Sequence, residues 1–249
     1  MKSYNGLYLM GNYPDADTFI SAALKGLELF DFLEVGLPFS DPIADGEVIA
    51  EAAYTVIENG ETFASICSSV ETIRKARPDN DVYFMNYANT AHVHGFDTFC
   101  KKAKEAGVMG LIIPDIPFSE SEPIRKAALE NGLSYVDFLT VESTDAMIDE
   151  LAGAGEGFLY AVSMRGITGQ EASFAEGIEN RILAAKQQTS RPVVMGFGIR
   201  DGATAKTALN SADGFIMGTV PIRELNRGIV SFNRFIDVLK DELNTSASV

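Results

Sequence analysis

The chain is poor in the residues and runs that define several large functional classes. It has no basic stretch: 20 lysines and arginines stand against 35 aspartates and glutamates, a net charge of −15 over 249 residues. The acidic residues are spread along the sequence. A positive footprint for a phosphodiester backbone is therefore missing, which argues against nucleic acid as a partner. No run has the length of a membrane span or the pattern of a signal peptide, so no membrane association is expected. There are only 2 cysteines, Cys67 and Cys100, both in helical-looking segments; they suggest small apolar core residues and a reducing cytoplasm rather than a disulfide framework. Histidine is equally scarce. His92 and His94 form an H-x-H in a loop between Asn89 and Gly95, but no third histidine or clustered cysteine completes a zinc site, and no metal is expected.

What is there is a hydrophobic content of 46%, enough to bury a large core. Short apolar, β-branched or aromatic runs recur with helical stretches between them: LYLM at 7, FLEVG at 32, VYFMNY at 82, GLIIPD at 110, SYVDFL at 134, GFLYAV at 157, RPVVMGFG at 191 and DGFIMGT at 213. Over 46–60 the pattern is helical, with Ile49, Ala52, Ala53, Val56 and Ile57 on one stripe and Asn59-Gly60 as a stop. A second helix starts near Ser121 with Pro123 in its first turn and stops at Asn131-Gly132. In a third, Phe96, Phe99, Cys100 and Ala103 form the buried stripe and Gly107 the end.

Strict alternation of strand and helix implies parallel strands with right-handed crossovers, and about eight such units is the size of a (β/α)₈ TIM barrel. The expected organisation is one catalytic barrel domain over 1–249. A doubly wound open sheet is the alternative, but its glycine fingerprint follows the first strand, whereas the glycine cluster here falls at the last strands, where barrels bind phosphate.

Glu34 interrupts an apolar strand and shares a face with Phe32 by the two-residue period. If that face points inward, a carboxylate sits at the catalytic end of the barrel, where desolvation raises its pKa towards neutrality. The other reading is an ion pair with a buried lysine. Asp45 ends a loop stiffened by Pro38 and Pro42 and could face the same cavity; equally, it could cap the helix that follows, although Val48 supplies no capping box. Gly166-Ile167-Thr168-Gly169, Gly196-Phe197-Gly198 and Gly218-Thr219 together suggest an anion cradle built from backbone N–H groups and helix N-termini; singly, each is a turn.

These residues carry a resemblance to a known family. LEVGLPFSDPIADG is similar to the signature of the tryptophan synthase alpha subunit, and YLMGNYPD, MNYAN, GLIIPDIP, SMRGITG, GFGI and MGT resemble its other strand ends and phosphate loops, so that nearly the whole chain is covered. The resemblance implies retro-aldol cleavage of indole-3-glycerol phosphate to indole and glyceraldehyde 3-phosphate in tryptophan biosynthesis, with no metal or organic cofactor in this subunit. It assigns Glu34 as acid/base, Asp45 to the indole N–H and Tyr160 beside the glutamate. Tyr8 and Phe197 would contact indole, Thr168 would meet Asp45 when a lid closes, and Gly169, Gly198, Gly218 and Thr219 would hold the phosphate. Tyr8, Phe197 and Tyr160 also suit plain packing, and Thr168 a plain turn.

The resemblance further implies a partner, a pyridoxal phosphate-dependent beta subunit in an alpha2beta2 complex, faced by the segments around Asp41, Pro42 and Asp115; Asp115 could equally just end its strand. Some positions depart from the family's pattern. The N-terminal helix is shortened or missing, which is expected to thin the cover of the barrel floor. Gly11-Asn12 replaces the usual first turn, with Asn tolerating a left-handed backbone. Thr219 stands where serine is common, and Met164-Arg165 alters the entry to the lid. The competing functions are another phosphate-binding-barrel isomerase or epimerase, and a non-catalytic subunit that activates a partner.

Overall fold

A computed structural model describes residues 3–162, 177–196 and 198–245. All eight apolar runs form strands: β1 (Gly6–Met10), β2 (Phe32–Gly36), β3 (Asp81–Met85), β4 (Gly110–Ile112), β5 (Ser134–Thr140), β6 (Leu159–Val162), β7 (Val193–Met195) and β8 (Gly214–Met217). They close into a barrel in sequence order, β1 lying beside both β2 and β8, and every pairing is parallel. This is the expected (β/α)₈ architecture. Its strands are buried on both faces because side chains fill the interior while helices cover the outside.

The helices start and stop where local chemistry dictates. α1 (Ala16–Gly26) is capped by Asp15, which accepts from the Thr18 N–H at 2.9 Å. α2 (Glu47–Glu58) and α3 (Phe63–Ala76) follow β2, the second opened by a Thr62/Ser65 capping box. α4 (Ala88–His94) and α5 (Phe96–Glu105) follow β3. α6 (Glu122–Glu130) has Pro123 in its first turn, and Gly132 just beyond it has a φ of 69° that other residues resist. α7 (Asp145–Ala154), α8 (Ile178–Gln188), α9 (Gly202–Leu209), α10 (Thr219–Asn226) and α11 (Ile229–Asn244) complete the coat. Among the described residues no helix is long and apolar enough to cross a membrane.

One helical stripe differs from expectation. Ala52, Ala53 and Val56 of α2 are buried, but Ile49 is only half-buried and Ile57 is 41% exposed. Each residue turns the helix by about 100°, and the step past Val56 carries Ile57 off the covered arc. Cys67 and Cys100 are buried free thiols, and burial pushes each up to about 12.

The floor of the barrel is aromatic. Phe32 stacks on Tyr4 at 4.7 Å between ring centroids, with Tyr83 at 5.4 Å and Phe158 at 5.2 Å. The Tyr4 hydroxyl donates to Asp81 at 2.6 Å. Below Glu34 the interior is thus packed solid, and any ligand must enter from the opposite end, where the strands' C-termini lie.

Candidate active site

Glu34 is in register with Tyr8 on one side and Tyr83 on the other, one step above the inward-facing Phe32, so the two-residue period points it into the barrel. It is 2% exposed. The Tyr160 hydroxyl hydrogen-bonds its carboxylate, while Oε2 has no partner among the described residues. Burial, then the nearby charge of Asp45, pushes Glu34 up to about 8 against the opposing pull of the Tyr160 bond. No lysine or arginine among the described residues holds it, which favours the acid/base reading over the ion pair. At neutral pH the group carries a proton.

Two glycines make room for the tyrosines around it. A Cβ on Gly196 would overlap the Tyr160 ring, and one on Gly36 would overlap the Tyr8 hydroxyl. Each ring leans over the C-terminal end of a neighbouring strand that must lack a side chain there. Gly196, grouped by sequence with an anion cradle, therefore serves Tyr160 and through it Glu34. Tyr8 is 4% exposed, and its hydroxyl has no hydrogen-bond partner among the described residues. Burial and the charges of Asp45 and Glu34 hold it in the neutral, donor form.

Asp45 does not cap α2: the cap is Gly46, with no side-chain hydrogen bond. Instead Asp45 Oδ2 accepts from the Tyr87 hydroxyl at 2.9 Å, and the Ala44 N–H donates back to that hydroxyl at 2.9 Å. Burial raises Asp45 to about 6 and the Tyr87 bond restrains the rise. It remains mostly ionised at pH 7. Glu34 feels the charge of Asp45, and the two carboxylates thus rest in different states, one protonated and one anionic, an arrangement suited to acid/base chemistry.

Gly218 lies at the end of β8, immediately before α10, and a Cβ there would stand 3.3 Å from Tyr8 Cβ. Thr219 is the exposed first residue of α10, whose opening N–H groups have no helical partner and favour an anion. Gly198 is exposed with φ 76° and open space around its Cα. Thr168, Gly169 and Phe197, with Met164 and Arg165, lie outside the described residues. His92 and His94 fall at the end of α4 against Phe96 and Phe63. No group of metal-binding side chains occurs among the described residues. Asp115 accepts from the Ala88 N–H at 2.9 Å and so caps α4, tying the turn after β4 to the residue following Tyr87.

Sequence reasoning missed Tyr87 and Asn86 as site residues, although both lie in the MNYAN run. Asn86 is fully buried, donates to the Tyr87 carbonyl at 3.1 Å and leaves Oδ1 without a partner among the described residues. A polar pair closing an apolar strand was the available signal.

Comparison with known proteins agrees with this geometry. A family model described as tryptophan synthase alpha chain matches residues 7–245. The tryptophan synthase alpha chain of Deinococcus radiodurans is 36% identical over 237 residues, covering 95% of this chain and 86% of its own. That of Lachnospira eligens is 36% identical over 245 residues, covering 95% and 92%. Among solved structures, the tryptophan synthase a2b2 complex of Pyrococcus furiosus superposes with a TM-score of 0.87 at 25% identity, over 96% of this chain and 99% of that one.

Proposed function

The chain belongs to the tryptophan synthase alpha chain family, and from that premise we propose how its site cleaves indole-3-glycerol phosphate to indole and glyceraldehyde 3-phosphate. The carbon-carbon bond breaks when a proton is added at indole C3 and the hydroxyl on the adjacent glycerol carbon loses its own, becoming the aldehyde. No electrons are gained or lost overall. Glu34, protonated near neutrality, supplies the proton to C3, and the carboxylate it leaves takes the proton of the glycerol hydroxyl, while Tyr160 holds that carboxyl in place. Asp45, ionised in the same cavity, accepts the indole N–H and stabilises the positive charge that grows on the ring as C3 is protonated. The observation that carries this reading is the pair itself: Glu34 is 2% exposed on the inward face of β2, and Asp45, held by Tyr87 at 2.9 Å, stands near enough for its charge to act on Glu34.

Tyr8 and Phe197 flank the indole. Gly169, Gly198, Gly218 and Thr219 hold the phosphate through backbone N–H groups and the α10 N-terminus, while Thr168 completes the cover above Asp45. The subunit works without a cofactor of its own. Its partner is a beta subunit carrying pyridoxal phosphate, which receives the indole. Ile43, 76% exposed beside Pro42, offers that partner an apolar contact. Two buried free thiols accord with a cytoplasmic setting. The deciding experiment measures indole released from indole-3-glycerol phosphate by the purified chain, alone and with a beta subunit. Release is expected in both, faster in the complex; none in either would sink the assignment in favour of another phosphate-binding barrel activity or a non-catalytic subunit.

A further inference from the structure

Tyr87 is held more tightly than a packing residue requires. Its side chain is 2% exposed, and its ring stacks on Phe39 at 5.0 Å with 24° between the planes. The hydroxyl accepts from Ala44 N–H and donates to Asp45, each at 2.9 Å. On its C-terminal side the Ala88 N–H is fixed by Asp115, and on its N-terminal side Asn86 bonds the Tyr87 carbonyl. One side chain from the end of β3 thereby ties down both Phe39 and Asp45, near the two ends of the loop between β2 and α2. Without it that loop has little else to orient Asp45: the residue neither caps α2 nor pairs with a cation among the described residues.

Resting on the reading above, we propose that Tyr87 is a positioning residue for the cleavage reaction: its phenol fixes where the Asp45 carboxylate stands and keeps that carboxylate available as the anion facing the indole N–H. It does so at a distance from the bond that breaks, through Asp45 alone. Asp45's own charge acts on Glu34 on β2, Tyr8 on β1 and Tyr160 on β6, with Asp115 acting on Tyr87 from the turn after β4. All are acidic or neutral. Among the described residues the Tyr87 hydroxyl is thus the donor that favours the ionised form.

The test is Tyr87→Phe, which keeps the stacked ring and removes only the hydroxyl, compared with the intact chain and with Asp45→Asn. Two quantities are read: kcat/KM for indole release across about pH 5 to 9, and the ¹³C NMR titration of the Asp45 carboxyl, assigned by its absence in Asp45→Asn. Loss of a hydrogen bond to a charged group is expected to move the acid limb and the NMR titration upward together by about one pH unit, roughly tenfold in the ionisation constant. A purely structural tyrosine would lower activity evenly at all pH values and leave the titration in place. Superposable limbs and titrations in Tyr87→Phe and the parent would overturn the proposal. If the intact chain released no indole, the functional reading would fail instead, while the NMR titration would still decide whether Tyr87 governs Asp45.

Discussion

Glu34 on β2 and Asp137 on β5 are withdrawn from water almost equally, 2% and 3% exposed, yet their surroundings differ. Asp137 is gripped by Arg125 through both carboxylate oxygens and by Arg191 at 3.0 Å. The arginines spend their other N–H groups on the carbonyls of Leu151, Ala154 and Phe158, so the cluster knits β5, α6, the end of α7 and the approach to β7 into one piece. Arg125 also lies over the rings of Phe118 and Tyr135, 4.7 Å from each centroid. Among the described residues Glu34 is hydrogen-bonded by Tyr160 and keeps an oxygen with no partner. A buried carboxylate with both oxygens paired to cations behaves as structure. One left short of partners keeps its proton and has something to give to a ligand. The barrel contains both, and the difference between them separates what holds the protein together from what it does.

That contrast can be broken at either end. The largest effect is expected from Glu34→Gln, which keeps the shape but has no transferable acid proton: indole release should fall by ~10² to 10⁴ while the protein remains folded. Turnover near the parent rate would remove Glu34 from the mechanism. Next comes Asp137→Asn, which leaves two buried guanidinium groups without their anion. Denaturant unfolding should show a loss of roughly 3 to 5 kcal/mol, with kcat/KM of the folded fraction little altered; equal damage to both would mean that the clamp and the mouth are not separable.

A smaller effect concerns pH. Because folding raises Glu34 from its ordinary 4.5 to about 8, the folded state binds a proton that the unfolded chain has lost within that window. Its stabilisation is complete below the lower value and declines as pH rises through the upper one. Glu34→Gln should flatten the stability curve between those limits, and an unchanged slope would contradict the raised pKa. The smallest change is expected from Tyr8→Phe. Its hydroxyl has no partner among the described residues to lose, so stability should hold or rise, by up to about 1 to 2 kcal/mol; a clear destabilisation would show that the hydroxyl is satisfied in the resting protein.

Much of this contrast could be read before any coordinates, and some could not. Glu34 was visible because a two-residue period makes an acidic residue on an apolar strand conspicuous, and Phe32 identified its face. Asn12 was expected to tolerate a left-handed turn and does, at φ 58°. The helix stops at Asn59 and Asn131 were equally local matters. Asp45 was different: cap or site residue was undecidable from neighbours in sequence, and the answer came from Tyr87, 42 residues later. Gly196 was assigned to an anion because glycines near strand ends commonly serve one, whereas its lack of a side chain here admits the ring of Tyr160. The Asp137 clamp left no trace in the pattern, since its arginines stand 12 and 54 residues away.

The sequence by itself therefore determined the alternation of strands and helices, their ends, and the presence of an acid on an inward face, because backbone periodicity and capping act over a few residues. Only the tertiary structure decided that Glu34 has no cation among the described residues, that Tyr160 reaches it across a glycine, and that Asp45 answers to Tyr87. Desolvation and hydrogen-bond partnership depend on what closing the barrel brings together, and groups far apart along the chain carry no mark of one another until it closes.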